Sequence, residues 1–352
     1  MKSSFKPVKT ALASFGMSGL VFHGPLLDAN KSFELTKVWE RTKNESVKKY
    51  PDIQIVRHFD ELCQDKNIEL IIINTPDHTH YELCKKALKY NKHVVVEKPF
   101  TQKYSEALEL IELAEKKKLL LSVFKNRRWD GDFLTVKKVI EEKMLGRLVS
   151  YEAHFDRYRN FIQPGTWKED AHTGTGTLYN LGSHLIDQAL VLFGKPDGVT
   201  ADIRNLRSNS SIDDTFELWL HYPQVRVSLS ASYLVREPGP RYTLHGTEGS
   251  FLKWGIDPQE EELKKGAIPG SKGWGEEPES DFGLLHTTLN GKEIKEKIAT
   301  IPGDYPAFYA NLYNAIRHGE KLAVEPDEAA LVIQIIEAAF SSQNEKRQIK
   351  IL

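Results

Sequence analysis

The sequence predicts a two-part α/β protein, with a parallel, doubly wound sheet in its first half and a large, mainly antiparallel open sheet in its second. Three observations carry this. Between residues 8 and 124, short β-branched or apolar runs alternate with stretches of helical period, the mark of strands joined by crossover helices. From Leu148 the period changes to two, as in Val149, Tyr151, Ala153 and Phe155, in Phe216, Leu218, Leu220 and Tyr222, and in Val225, Val227, Leu229, Ala231 and Tyr233. That alternation fits a sheet covered on one face. The 352 residues also suffice for two domains at roughly 100–200 residues each. The boundary is placed between 1–125 and 126–352.

In chain order, Lys9 to Phe15 reads as a strand running into Ser14-Phe15-Gly16-Met17-Ser18-Gly19, with a helical segment through Phe22 and His23. Dinucleotide folds put a G-x-G-x-x-G turn here, where glycines let the backbone approach a pyrophosphate. Phe15, Gly16, Met17 and Ser18 are therefore cofactor-site candidates. Ser14 replaces the first glycine, so an ordinary strand–helix turn, or a different nucleotide or S-adenosylmethionine pocket, competes with this reading. The next strand, Phe33 to Trp39, ends in Glu40-Arg41-Thr42-Lys43, and Glu40 lies 24 residues beyond Gly16. That is near the ~20-residue offset of the group that meets the adenosine ribose. Glu40 would accept from the ribose hydroxyls, whereas Arg41 and Lys43 would suit a 2'-phosphate. The cofactor is NAD or NADP, with a slight lean to NAD because a fixed carboxylate repels a phosphate.

A short strand at Ile53 to Phe59 precedes a helix from Asp60, and Glu69 to Asn74 gives a strongly apolar strand closed by Asn74-Thr75-Pro76. A helix with Leu83, Cys84, Ala87 and Leu88 follows, then the strand Val94 to Val96, ended by Glu97-Lys98-Pro99-Phe100. An ammonium beside a buried strand must be paired or have its pKa lowered, and proline stops the strand, so this end has a reason beyond packing or is a solvated salt pair. A helix with Ala107, Leu110, Ile111 and Ala114 inward leads to a strand at Leu119 to Phe124 and to Asn126-Arg127-Arg128-Trp129. Ligands of doubly wound sheets lie beyond the strand carboxyl ends. Asn74, Thr75, Pro76, His80, Glu97, Lys98, Asn126, Arg128 and Trp129 should then border one cofactor cleft. Lys116 to Lys118 is a solvated helix end. His78 and His80 lack a completing cluster of Cys, Asp or Glu, so no metal site is expected.

In the second half, Gly255 to Gly283 reads as an irregular connection, and Tyr305 to His318 and Asp327 to Phe340 as helices. In Gly174 to Asp187, a helix would put Asn180, His184 and Asp187 on one face, either toward solvent or toward a ligand. Gly182 beside them is destabilising unless something approaches closely. Arg157, Tyr158 and Trp167 offer hydroxyl-binding and stacking groups for a polyol, or ordinary interface material.

The 48 basic and 49 acidic residues nearly cancel, which argues against nucleic acid or an anionic membrane as a partner. No apolar run approaches a membrane span, and no signal-like segment precedes the first strand, so a cytoplasmic protein is expected. The two cysteines, Cys63 and Cys84, read as reduced packing residues.

Taken together, Phe15-Gly16-Met17-Ser18-Gly19 with Phe22-His23-Gly24-Pro25, Thr75-Pro76, Glu97-Lys98-Pro99-Phe100, Asn126-Arg127-Arg128-Trp129, and Leu181-Gly182-Ser183-His184 with Asp187 resemble the Gfo/Idh/MocA oxidoreductases, over essentially the whole length. The resemblance implies a Rossmann N-terminal domain and a C-terminal α/β domain whose open sheet often makes a homodimer or homotetramer interface. It implies that Lys98 and His184 flank the nicotinamide and the reacting hydroxyl, with Lys98, His184 and Asn180 catalytic and these three together with Arg157, Tyr158 and Trp167 at the substrate, a sugar or cyclitol. Asn180 stands where many members have aspartate, so it can bond but carries no charge. As a general acid–base group, Lys98 must titrate near ~7–8 rather than ~10.4, a difference of about 4 kcal/mol. His184, already near neutrality, would share the proton. A cofactor-binding sensor without turnover is the competing class, suggested by Ser14 and Asn180.

Overall fold

A computed structural model of the chain describes residues 6–166, 169–172 and 174–352, and its contacts divide into two compact units. The first unit comprises the chain up to Trp129 together with Gln259–Trp274 and Asp304–Ala330; the second comprises Asp130–Pro258, Gly275–Gly303 and Leu331–Leu352.

The first unit is built on six parallel strands: β1 (Val8–Leu12), β2 (Phe33–Trp39), β3 (Gln54–Val56), β4 (Leu70–Ile73), β5 (His93–Val96) and β6 (Leu121–Val123), in the order β3-β2-β1-β4-β5-β6. Helices α1 (Gly24–Asp28), α2 (Ser46–Lys49), α3 (Phe59–Gln64), α4 (His80–Lys89) and α5 (Tyr104–Lys117) alternate with them. Covered on both faces, β4 and β5 need no alternation, and Leu70 to Ile73 and Val94 to Val96 are all buried. Ile73 pairs with Val96, so the next residues, Asn74 and Glu97, leave adjacent strands side by side. Strand order reverses at β1, which opens the crevice where such sheets take ligands. The inward face of α5 is Ala107, Leu110, Ile111 and Ala114, and the helix ends at Lys118 with φ 56°.

The second unit begins with α6 (Gly131–Glu141), β7 (Leu148–His154) and α7 (Ser183–Phe193), followed by β8 (Gly198–Arg204), β9 (Thr215–His221), β10 (Arg226–Ser232), β11 (Tyr242–Gly246) and β12 (Gly249–Lys253). Helix α8 (Gln259–Lys264) belongs to the first unit; β13 (Gly283–Leu289) and β14 (Lys292–Ile298) return to the second. Helix α9 (Pro306–His318) is again in the first unit, α10 (Pro326–Glu345) runs from one unit's segment into the other's, and β15 (Ile349–Lys350) ends the sheet. Its nine strands lie in the order β14-β13-β12-β11-β7-β10-β9-β8-β15, and only β7 and β10 pair in parallel. Tyr151, Ala153, Phe216, Leu218, Leu220, Val227, Leu229 and Ala231 fill its covered face.

The stretch Gly255 to Gly283 differs from the irregular connection expected. It contains α8, and its Gln259, fully buried, donates to Trp129 O (3.0 Å) and accepts from Trp274 Nε1 (2.9 Å) and Tyr305 N (2.7 Å). One amide thereby anchors a segment whose composition reads as loop. No helix among the described residues is long and apolar enough to cross a membrane.

Candidate active site

The glycine turn follows β1 directly. Ser14, the departure from the glycine pattern, accepts Gly16 N–H on its hydroxyl (3.2 Å), a local bond that closes the turn in place of a glycine's freedom. The segment Ser18–His23 then makes a π-helical turn before α1. Gly19 has no room for a side chain: a Cβ there would lie 2.5 Å from Ser14 O and 3.0 Å from Asn74 Nδ2. Gly16 is the opposite case, since its nearest neighbour would be Ser14 Oγ at 3.7 Å. Its lack of a side chain leaves open space at the end of β1. Asn74 donates to Ser14 O (2.9 Å), while its buried Oδ1 has no hydrogen-bond partner among the described residues. A dinucleotide fits this cradle, because a buried acceptor is left unpartnered next to a turn in which Gly16 leaves the backbone open. Met17 is exposed beside it.

At the end of β2 the carboxylate of Glu40 is turned inward. It accepts from Ser46 N (2.9 Å), Ser46 Oγ (2.5 Å) and Glu45 N (2.9 Å), supplying the acceptors that the first turn of α2 lacks. Burial pushes its pKa up, but the bonds from Ser46 and Glu45 and the charge of Arg57 outweigh this and hold it low. Arg57 fixes the loop by donating to Glu40 O and Lys43 O, both at 2.7 Å. Arg41, Thr42 and Lys43 are left exposed.

Beyond β5, Glu97 accepts from the Ser18 hydroxyl, from His23 Nε2 (3.2 Å) and from Lys98 N (3.1 Å). Burial opposes ionisation, but His23, Ser18 and the Lys98 charge bring its carboxyl down to about 2. Lys98 therefore stands beside a fixed anion at the carboxyl edge of the sheet, ahead of a cis Lys98–Pro99 bond. His80 is buried and faces Pro99 O (2.8 Å) and Thr75 O (3.0 Å), so it ties the end of β4 to the turn after Lys98; burial drives its pKa down. Thr75 Oγ1 meets Thr79 Oγ1 at 2.6 Å, and Pro76 starts the turn into α4. Asn126 is buried after β6, and Arg128 pairs with Glu328 (2.8 Å) and donates to Ala323 O (2.8 Å). The ring of Trp129 meets Phe308 edge-on.

In the second unit, a π-helical turn at Leu178–Gly182 runs into α7, and Ser183 to Leu190 are all buried. His184 and Asp187 are therefore not on a solvent face, while Asn180 is half-buried. Gly182 does not open a gap for a ligand. A Cβ there would sit 2.7 Å from Leu178 Cδ1 and 3.2 Å from Phe216 Cζ, so it lets the turn before α7 close against Phe216 of β9. Asp213 holds the start of this helix: its Oδ2 accepts from Thr177 Oγ1 and Leu178 N, both at 2.8 Å. Burial raises the Asp213 pKa against those bonds. Arg157 lies over the Phe155 ring (5.1 Å), and that ring is 6.5 Å from the ring of His184. Tyr158 is exposed under Arg236. Trp167 lies outside the described residues.

Sequence reasoning meets His23 only as part of the glycine-turn motif and gives no role to it, Asp213, Arg207 or Tyr309. Arg207, fully buried, pairs with Glu169 (2.8 Å) and Asp214 (3.3 Å) and donates to Phe161 O (2.8 Å), which braces the segment after Tyr158. An Asp-Asp pair before a strand was the only available hint to Asp213 and Asp214.

Residues 8–125 match the model of an oxidoreductase family's NAD-binding Rossmann fold, and residues 137–351 match that family's C-terminal alpha/beta domain. Scyllo-inositol 2-dehydrogenase (NADP(+)) IolW of Bacillus subtilis is 42% identical over 97% of this chain and 95% of its own. An oxidoreductase structure from Bacteroides fragilis is 50% identical, with a TM-score of 0.91 over 98% of this chain and 100% of that one. The oxidoreductase YvaA of Bacillus subtilis is 40% identical, with a TM-score of 0.96 over the whole of both chains.

Proposed function

The chain belongs to the Gfo/Idh/MocA family of NAD(P)-binding oxidoreductases, and from that premise we propose that it is an NADP-dependent dehydrogenase of cyclitols, oxidising a secondary alcohol or reducing the matching ketone. The bound cofactor supplies the hydride acceptor at its nicotinamide. The residues must orient the alcohol and remove one proton. Lys98, whose backbone N–H is anchored on the Glu97 carboxylate at the sheet edge, takes the hydroxyl proton through its side chain. His184 and Asn180 bond the substrate oxygen, with Arg157, Tyr158 and Trp167 reading the other hydroxyls. Residues 1–125 carry the cofactor; residues 126–352 take the substrate and associate with a second copy through the open sheet, in a cytoplasmic homodimer or homotetramer.

The observation that carries the cofactor reading is Glu40. With both oxygens engaged by Glu45 and Ser46, it is a poor acceptor for ribose hydroxyls, while Arg41 and Lys43 stand exposed for a 2'-phosphate. This replaces the lean to NAD. The named activity of the Bacillus subtilis relative supports both NADP and scyllo-inositol. The test is nicotinamide absorbance with NADP or NAD and a panel of cyclitols and sugars that includes scyllo-inositol. Reduction of NADP by scyllo-inositol or another cyclitol at over tenfold the kcat/KM seen with NAD is expected; no absorbance change with any member would overturn the reading.

A further inference from the structure

Tyr309 comes from α9, more than two hundred residues after the glycine turn, yet within the first unit its hydroxyl lies 2.6 Å from His23 Nδ1. His23 Nε2 in turn reaches Glu97, whose carboxylate also accepts Lys98 N. His23 and Tyr309 are fully buried. Their rings are fixed by neighbours: His23 packs on Phe124 at 4.5 Å, Phe124 on Phe308 at 5.0 Å, and Tyr309 on Phe33 at 5.4 Å. None of this is needed to close the sheet, and packing alone would be served by phenylalanine at 309.

We infer that Tyr309 and His23 are positioning residues for Lys98, acting through Glu97 in a single directed chain of hydrogen bonds. Tyr309 O–H donates to His23 Nδ1, which leaves the proton on Nε2 to be donated to Glu97. The direction follows from donor inventory, since an ionised carboxylate only accepts and a neutral imidazole has one donor and one acceptor. Burial and the Glu97 charge push the Tyr309 phenol well above its ordinary pKa, so it remains a donor. Without the hydroxyl, the buried Nδ1 has no donor to accept from and the ring loses the bond that fixes its tilt, so Nε2 is no longer held on the Glu97 carboxylate. The anion then loses a donor and shifts, and Lys98 shifts with it. The charged and titratable groups around Glu97 are His23, Tyr309, His80 and Lys98, with the buried Asp77 carboxylate acting on His80 as well.

The inference rests on Lys98 as the proton-transfer group, and the experiment separates the two. Turnover of scyllo-inositol with NADP, or of whichever panel cyclitol reacts, is measured for Tyr309→Phe, Glu97→Gln, the double variant and Lys98→Met. Tyr309→Phe is expected to lower kcat about fivefold, the worth of one neutral hydrogen bond, with KM for NADP within twofold. In the Glu97→Gln background it should cost less than 1.5-fold more, because residues on one chain are not additive. A merely structural tyrosine would instead give multiplying losses, and either that or wild-type kcat overturns the inference. If Lys98→Met keeps its turnover, the parent reading fails as well. Independently of substrate and of the variants' folding, long-range 15N–1H correlation on histidine-labelled protein, with His23→Gln for assignment, should show His23 protonated at Nε2 only. A ring protonated at Nδ1 would also overturn the chain's direction.

Discussion

Replacing Glu40 with glutamine separates two roles that this position can have in a dinucleotide fold. In the structure the carboxylate accepts Ser46 N, Ser46 Oγ and Glu45 N. A glutamine placed with its carbonyl toward Ser46 turns its NH2 toward the Glu45 N–H, donor against donor. Hydrogen bonds to charged groups contribute ~1.5–3 kcal/mol, and one is lost here and the others weakened, so about 2 kcal/mol of stability should go. At about 2 °C per kcal/mol for a chain of this size, the melting temperature falls by about 4 °C. The carboxyl is held below its ordinary pKa, so its contribution is complete above the unfolded value near ~4.3 and is lost as pH falls through the folded one. The melting gap between wild type and Glu40→Gln should therefore be full at pH 7 and narrow steadily as pH falls below the unfolded value near ~4.3. Binding of NADPH and NADH, followed by fluorescence titration, should change by less than twofold in ratio. The reasoning is refuted if NADH binding weakens tenfold, NADPH binding is untouched and the melting temperature stays put. Glu40 would then be gripping ribose hydroxyls.

Gly176 has φ +93°, and a Cβ there would lie 1.9 Å from Asp213 Oδ1, so Gly176→Ala both strains the backbone and displaces the acceptor of the Asn180–His184 helix start. A loss of about 3 kcal/mol is expected in urea unfolding, with kcat reduced more than KM for cofactor. Arg207→Met leaves Asp214 and Glu169 buried without their cation, which should destabilise by about 3–5 kcal/mol and open the segment around Phe161 to limited proteolysis before the rest of the chain. For Glu97, whose carboxyl lies at about 2, the stabilisation over an unfolded carboxyl is present above pH ~4.3 and fades as pH falls toward 2, so wild type and Glu97→Gln should converge in stability across that range of acid titration.

The parallel sheet was legible chiefly in its central strands, where Leu70 to Ile73 and Val94 to Val96 are apolar and buried on both faces. The predicted strand Phe33 to Trp39 matches β2 residue for residue. The antiparallel half was legible only in β7, β9 and β10, where large residues alternate. Strand β14, Lys-Glu-Ile-Lys-Glu-Lys-Ile, hides in its charges, which suit an edge strand that must not pair further. A signal for it was present nonetheless: Asn290-Gly291, both at positive φ, is a hairpin turn between β13 and β14. The Glu97-Lys98 edge followed from the strand's abrupt end. Its supports did not, because Tyr309 is brought to His23 by the return of α9 to the first unit, and no local pattern encodes that distance. Gly182 was legible as a point of close approach, but what approaches it, Leu178 and Phe216, was not, because the strand that brings Phe216 lies more than thirty residues further on.

Stopped-flow hydride transfer from scyllo-inositol to NADP, comparing wild type with Lys98→Met, tests the central claim most directly. If Lys98 is the proton acceptor proposed above, its removal should slow the hydride step by about 10³-fold while NADPH binding stays within threefold. A near wild-type hydride rate in Lys98→Met would contradict the account.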